Sequence, residues 1–164
     1  MLDRKFMREE NEIEIICDFL RSKGFENITP SQQTNQFDIF DIYARKYGYD
    51  FVIETKARSI PHNKYCDILV EKLKLDEYIR RREKNNKLKG LVFNIYNDNT
   101  LACNIITDYF KVAEFLGPRT TGFKNNDYVN KKGVYYKQRR LYKINRKNNN
   151  YEFEEVKKWI KIQL

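Results

Sequence analysis

No stretch of this 164-residue chain approaches the roughly 18–20 consecutive apolar residues needed to cross a bilayer, so no membrane-embedded role is expected. The opening residues, Met1-Leu2-Asp3-Arg4-Lys5-Phe6, lack the apolar core of a secretory signal. Cysteine is scarce. Cys17, Cys66 and Cys103 are far apart and odd in number, and each falls in an apolar run. That pattern argues against a disulfide frame or a zinc site and for reduced thiols in an intracellular setting. Histidine is scarcer still: His62 is the only one, in the loop Ser59–Lys64 beside Pro61. Such a residue is expected to be exposed and idle rather than a proton carrier. No internal repeat is visible. Acidic residues are almost missing between Arg119 and Lys147, where ten Lys or Arg stand against the single Asp127.

What is present fits one folded domain. At 20.0 kDa, with 41% hydrophobic and 15% aromatic residues, the chain can bury a core and is not expected to be disordered. Abundant Asn, Lys, Ile and Tyr match the bias of an A+T-rich genome. The net charge of +9 resides in the segment 119–147, because the rest of the chain sums to about zero. Cations interleaved with Tyr128, Tyr135, Tyr136 and Tyr142 suit a phosphate backbone. Lys131, Lys132, Arg139 and Arg140 are the candidate nucleic-acid contacts there, against the plainer reading of a solvated basic face.

The chemically informative stretch runs from Phe37 to Arg58. It reads as two apolar strands, Phe37–Ala44 and Tyr49–Lys56, joined by a short turn that uses Gly48. Asp38 and Asp41 interrupt the first strand, and Glu54 and Lys56 end the second. Charges inside apolar strands are costly unless paired or bound to a metal. Glu54 and Lys56, two residues apart, share a face. A four-residue loop would set Asp41 opposite Glu54; a three-residue loop with a bulge at Gly48 would bring Asp38 to that face instead. Either register gathers an Asp, a Glu and a Lys. Two carboxylates so placed suit a hard cation such as Mg²⁺, which activates water and stabilises charge on a phosphoryl oxygen, with a lysine to orient that water or neutralise charge.

Asp41 followed by Glu54-Thr55-Lys56 in a strand-turn-strand context resembles the PD-(D/E)XK nuclease superfamily, which includes restriction endonucleases, archaeal-type Holliday junction resolvases and many phage nucleases. Phe40 stands where the proline of the motif's name would be. The resemblance covers roughly residues 8–107. It implies an α/β, restriction-endonuclease-like core: a central mixed β-sheet flanked by helices in the order αβββαβ, in residues 1–118. Residues 119–164 would form a basic C-terminal extension packed on the same domain.

The resemblance further implies that Asp41 and Glu54 are metal ligands and Lys56 the catalytic lysine, with the Thr55 carbonyl as a further ligand. Members often add a glutamate from the first helix. Here residues 8–23 read as an amphipathic helix stopped by Gly24, with Glu12 and, in reserve, Glu9 on or beside its buried side. Members also bring a lysine from the helix after the catalytic strand. The run Val70–Asp76 nominates Lys74 by likeness to phage-type members, and helical geometry would as readily nominate Lys72. Arg58, just past the catalytic strand, is a candidate phosphate contact.

Elsewhere a long helix is expected over Tyr65–Lys84, strands over Gly90–Tyr96 and Leu101–Thr107, and a short helix over Asp108–Leu116. A hairpin is expected over Gly133–Tyr136 and Arg140–Ile144, and a terminal helix over Tyr151–Leu164. The functional expectation is a Mg²⁺-dependent endonuclease, with Mn²⁺ able to substitute. Its substrate would be duplex or branched DNA, in the cytoplasm of a bacterial or phage-infected cell or associated with a virion, and a homodimer would suit cutting of both strands. The alternative is a non-catalytic nucleic-acid-binding or virion accessory protein on the same fold.

Overall fold

The computed structural model describes residues 4–31, 38–65, 67–106, 133–137, 140–148 and 150–156, and for 4–10, 67, 69 and 133–137 the backbone alone. The first helix, α1, spans Arg4–Ser22. Ile16, Cys17, Phe19 and Leu20 form its buried stripe, as the 3.6-residue period requires. It ends where expected. Gly24 takes φ +80°, and the Phe25 amide closes on the Leu20 carbonyl at 3.0 Å, a Schellman stop that a side chain with Cβ would strain.

The strands are β1 (Glu26–Pro30), β2 (Ile42–Lys46), β3 (Tyr49–Arg58), β4 (Asp67–Glu71), β5 (Leu88–Tyr96), β6 (Thr100–Ile106), β7 (Gly133–Lys137), β8 (Arg140–Lys147) and β9 (Asn150–Glu155), with α2 (Lys72–Lys84) between β4 and β5. Seven strands form one mixed sheet in the order β1-β2-β3-β5-β6-β8-β9, and β4 and β7 pair separately. Only β3 and β5 run parallel in the large sheet; the β4–α2 segment makes the crossover between them. Alternation along β3 sorts the core into two layers. Ile53, with Ile42, Leu91 and Phe93, packs with α1, while Val52, with Val92, Ile68, Leu75 and Tyr78, packs with α2.

The β2–β3 connection is tighter than either loop considered from sequence. Lys46 pairs with Tyr49, leaving a two-residue turn, Tyr47-Gly48. Both residues have positive φ, 53° and 77°, the signature of a type I′ turn. A tyrosine in this left-handed region carries roughly 1–2 kcal/mol of strain that Asn or Gly would not.

Several expectations are corrected. Residues 38–41 are not strand; β2 starts at Ile42, so Asp38 and Asp41 lie in the bend leading into it. The expected helix over Tyr65–Lys84 begins only at Lys72, because Ile68 and Val70 suit a strand that β7 is available to pair. Strands β7 and β8 both exist, but they do not form a hairpin: β7 pairs with β4, and β8 with β6 and β9. Residues 151–155 are strand β9 rather than helix, their Tyr151–Phe153 alternation meeting the α1 face of the sheet. The expected helix over 108–116 lies outside the described residues, as do 157–164. No described helix is long and apolar enough to cross a membrane.

Gly90, near the start of β5, has no room for a side chain. A Cβ there would stand 2.9 Å from Ile106 Cδ1 and 3.1 Å from Tyr78 Cδ2. Gly90→Ala is expected to lower stability by about 1–3 kcal/mol through overpacking, read as a lower urea midpoint with unchanged slope.

Candidate active site

Register decides the convergence. The β2–β3 pairing, continued one step beyond Ile42↔Ile53, sets Asp41 against Glu54, and the Asp41 amide donates to the Ile53 carbonyl at 2.9 Å. Asp41 Oδ2 accepts from the Thr55 amide at 2.8 Å and from Thr55 Oγ1 at 3.0 Å. These bonds hold its carboxylate beside β3. Asp38 is held elsewhere: Oδ1 accepts from the Phe40 amide at 3.3 Å and lies 3.4 Å from Arg81 on α2. Burial opposes its charge, yet bonds from Tyr43, Phe40 and Arg81 keep its pKa below the usual range. Of the two aspartates, Asp41 is the one brought to Glu54.

Glu54, only 2% exposed, sits on the α2 face of β3. Lys56 Nζ lies 2.9 Å from its Oε1 and Lys74 Nζ 3.0 Å from its Oε2. Lys74 also donates to the Ile39 carbonyl, a backbone oxygen of the bend carrying Asp41. Lys72 instead points along α2 to Asp76, at 3.1 Å. Burial is the largest influence on Glu54; with help from Asp41 it raises the carboxyl pKa against the pull of Lys56 and Lys74. For Lys56 burial works the other way, but Glu54 first, then Glu71 and Asp41, outweigh it and hold the ammonium above the ordinary lysine range.

The remaining candidates are placed less centrally. Glu12 is buried on α1. Because α1 packs on the Ile53 side of the sheet, it lies on the opposite face of β3 from Glu54 and Lys56. Glu9 is described only as α1 backbone. Arg58 follows Lys56 on the same face and donates Nε to Asn94 Oδ1 at 2.8 Å. Arg140 is exposed at the start of β8, paired with Cys103 of β6; Lys131, Lys132 and Arg139 lie outside the described residues.

Two residues at this site escaped the sequence reading. Glu71 stands 3.6 Å from Lys56 Nζ, so the ammonium bridges two carboxylates. It was hidden because β4 was read as helix. Asn94, fully buried and paired in register with Lys56, has a side-chain Nδ2 with no hydrogen-bond partner among the described residues. A polar residue interrupting the apolar run of β5 was the available signal, the same one that drew attention to Asp41 and Glu54. His62 is not idle either. Its side chain is 12% exposed, pairs with Asp98 and lies 3.2 Å from Thr100 Oγ1, clasping the loop after β3 to the β5–β6 turn.

Among the described residues no cluster of three or more His, Cys, Asp or Glu could hold a metal ion. The donors that do converge fit a magnesium ion, which binds through one or two carboxylates and keeps several waters. They are two carboxylates, and Glu54 Oε2 is buried without a hydrogen bond, the nearby Lys74 lacking the angle for one.

No family model and no curated protein matches this chain. Among solved structures it is similar to a Holliday junction resolvase from the archaeal hyperthermophile Archaeoglobus fulgidus, with 13% identity and a TM-score of 0.42, over 58% of this chain and 72% of that one. So loose a likeness carries no argument about chemistry.

Proposed function

We propose that this chain is a divalent-metal-dependent nuclease of the PD-(D/E)XK type that hydrolyses phosphodiester bonds in DNA. The observation that carries the reading is the buried Glu54 carboxylate, with Lys56 at 2.9 Å on the same strand and Asp41 across from it. Maintaining such a charge cluster in an apolar sheet costs stability, which marks it as a functional-site candidate. Asp41 and Glu54 would hold Mg²⁺ or Mn²⁺, with the Thr55 carbonyl as a further ligand. When bound, such an ion lowers the pKa of a water and stabilises charge on a phosphoryl oxygen.

The chain's own groups do the rest. Thr55 fixes the Asp41 carboxylate through its two hydrogen bonds. Lys56, held between Glu54 and Glu71, presents a positive charge beside the attacking water and the developing oxyanion. Lys74 ties the Ile39 bend to Glu54 and neutralises part of its charge. Arg58, Arg140 and the basic segment with Lys131, Lys132 and Arg139 supply phosphate contacts. In this reading residues 1–118 carry the chemistry and 119–164 a basic extension, in a phage-type enzyme that acts as a dimer.

A second reading has its own support. Both Glu54 oxygens face lysine ammonium groups, which balance the charge without a metal, as a non-catalytic nucleic-acid-binding descendant would require. One experiment separates the two. Supercoiled, linear, single-stranded and four-way-junction DNA are incubated with the protein in Mg²⁺ and in Mn²⁺, beside EDTA. Cleavage of any substrate that stops in EDTA supports the nuclease; binding without cleavage in either metal favours the second reading.

A further inference from the structure

The end of the hairpin remote from Glu54 has a composition that the proposed chemistry does not use. Tyr47 is 87% exposed at the tip, in the strained left-handed conformation that Asn or Gly would adopt freely. Lys46 Nζ lies 5.0 Å from the Tyr47 ring centre and 5.1 Å from that of Phe25. Next along the rim, Lys89 Nζ sits 4.6 Å over Tyr49, itself 41% exposed. Lys23, whose carbonyl accepts from Lys46, lies over Tyr142 at 5.0 Å. Asp50, the acid nearest the tip in sequence, is ion-paired to Arg45 at 2.9 Å. Ammonium groups thus flank two exposed rings, those of Tyr47 and Tyr49.

Cations alone would suit any polyanion. An exposed ring held in a strained turn and backed by a cation adds a flat apolar surface that an unpaired base can cover. We propose that the Tyr47 tip with Lys46, Lys89 and Lys23 is a second nucleic-acid contact, a stacking platform for an unpaired base flanked by phosphate-binding ammonium groups. It deepens the nuclease reading, on which it rests, by assigning a substrate with single-stranded character. From Tyr49 to Glu54 the strand advances about 17 Å, so the platform is a contact separate from the proposed cleavage site.

The test is fluorescence anisotropy of the full chain in EDTA, where no cleavage intervenes, with a single-stranded oligonucleotide, a blunt duplex of the same sequence and polyglutamate. Tyr47→Asn is expected to bind the single strand about tenfold more weakly, with the duplex little changed and a Tm equal to or above that of the wild type, since turn strain is relieved. Tyr47→Phe should bind like the wild type. Lys46→Gln and Lys89→Gln should each reduce the slope of log affinity against log salt by about 0.7, a readout that does not depend on how Tyr47→Asn folds.

Unchanged single-strand binding in Tyr47→Asn overturns the proposal, as do unchanged salt slopes in both lysine variants. Equal weakening of polyglutamate and oligonucleotide also overturns it and points to an acidic protein partner. Absence of cleavage in Mg²⁺ and Mn²⁺ would overturn the nuclease reading alone and leave these binding results standing.

Discussion

Replacing Lys56 by Ala is expected to lower the cleavage rate by about 10²–10³-fold or more while DNA affinity changes little. The reason is the position of its charge. The ammonium lies 2.9 Å from Glu54 and 3.6 Å from Glu71, and these carboxylates raise its pKa above that of a free lysine despite burial. Lys56 is therefore a cation at neutral pH. In the proposed nuclease it would donate to water or to a phosphoryl oxygen rather than accept a proton. The sign of the pH dependence follows: its contribution is complete at neutral pH and disappears only as pH rises through a value above the ordinary lysine range. Rate against pH should consequently show no lysine limb between neutrality and the usual lysine pKa. Single-turnover cleavage on a supercoiled substrate checks the magnitude, and a wild-type rate in Lys56→Ala would refute the assignment.

Glu54→Ala should have the largest effect on stability. Two ammonium groups face that carboxylate, and its removal leaves Lys56 with Glu71 alone and Lys74 with only the Ile39 carbonyl at a partly buried site. Breaking one side of such an arrangement costs about 3–5 kcal/mol. Adding Lys74→Met to Glu54→Ala should restore part of the loss, because one stranded charge is removed together with its partner; urea unfolding of the two single variants and the double variant measures the coupling.

The same variant bears on the metal. In the wild type, Mg²⁺ or Mn²⁺ at about a hundredfold above Kd should stabilise the fold by about 2.7 kcal/mol, and Glu54→Ala should abolish that response. Glu54 has a raised carboxyl pKa, so its contribution to the metal-free protein is present at low pH and lost as pH rises through that value. A cation takes the ionised form, so metal-linked stabilisation should increase over the same interval. A metal response that survives in Glu54→Ala would remove this carboxylate from the site.

Much of this protein was legible in its sequence because local rules sufficed. The 3.6-residue stripe and Gly24 specify α1 and its end, and apolar runs bounded by turn residues specify β3, β5 and β6. Period-two alternation alone places Glu54 and Lys56 on one face. Tertiary structure decided what local rules leave open. The two-residue Tyr47-Gly48 turn selected the register that sets Asp41, rather than Asp38, against Glu54. Pairing of β4 with β7, residues more than sixty positions apart, turned an expected helical segment into strand and brought Glu71 to Lys56. The start of α2 at Lys72 oriented Lys74, not Lys72, toward Glu54. Periodicity is a property of neighbours along the chain, whereas strand pairing and the aim of a helix depend on segments that meet only when the chain is folded.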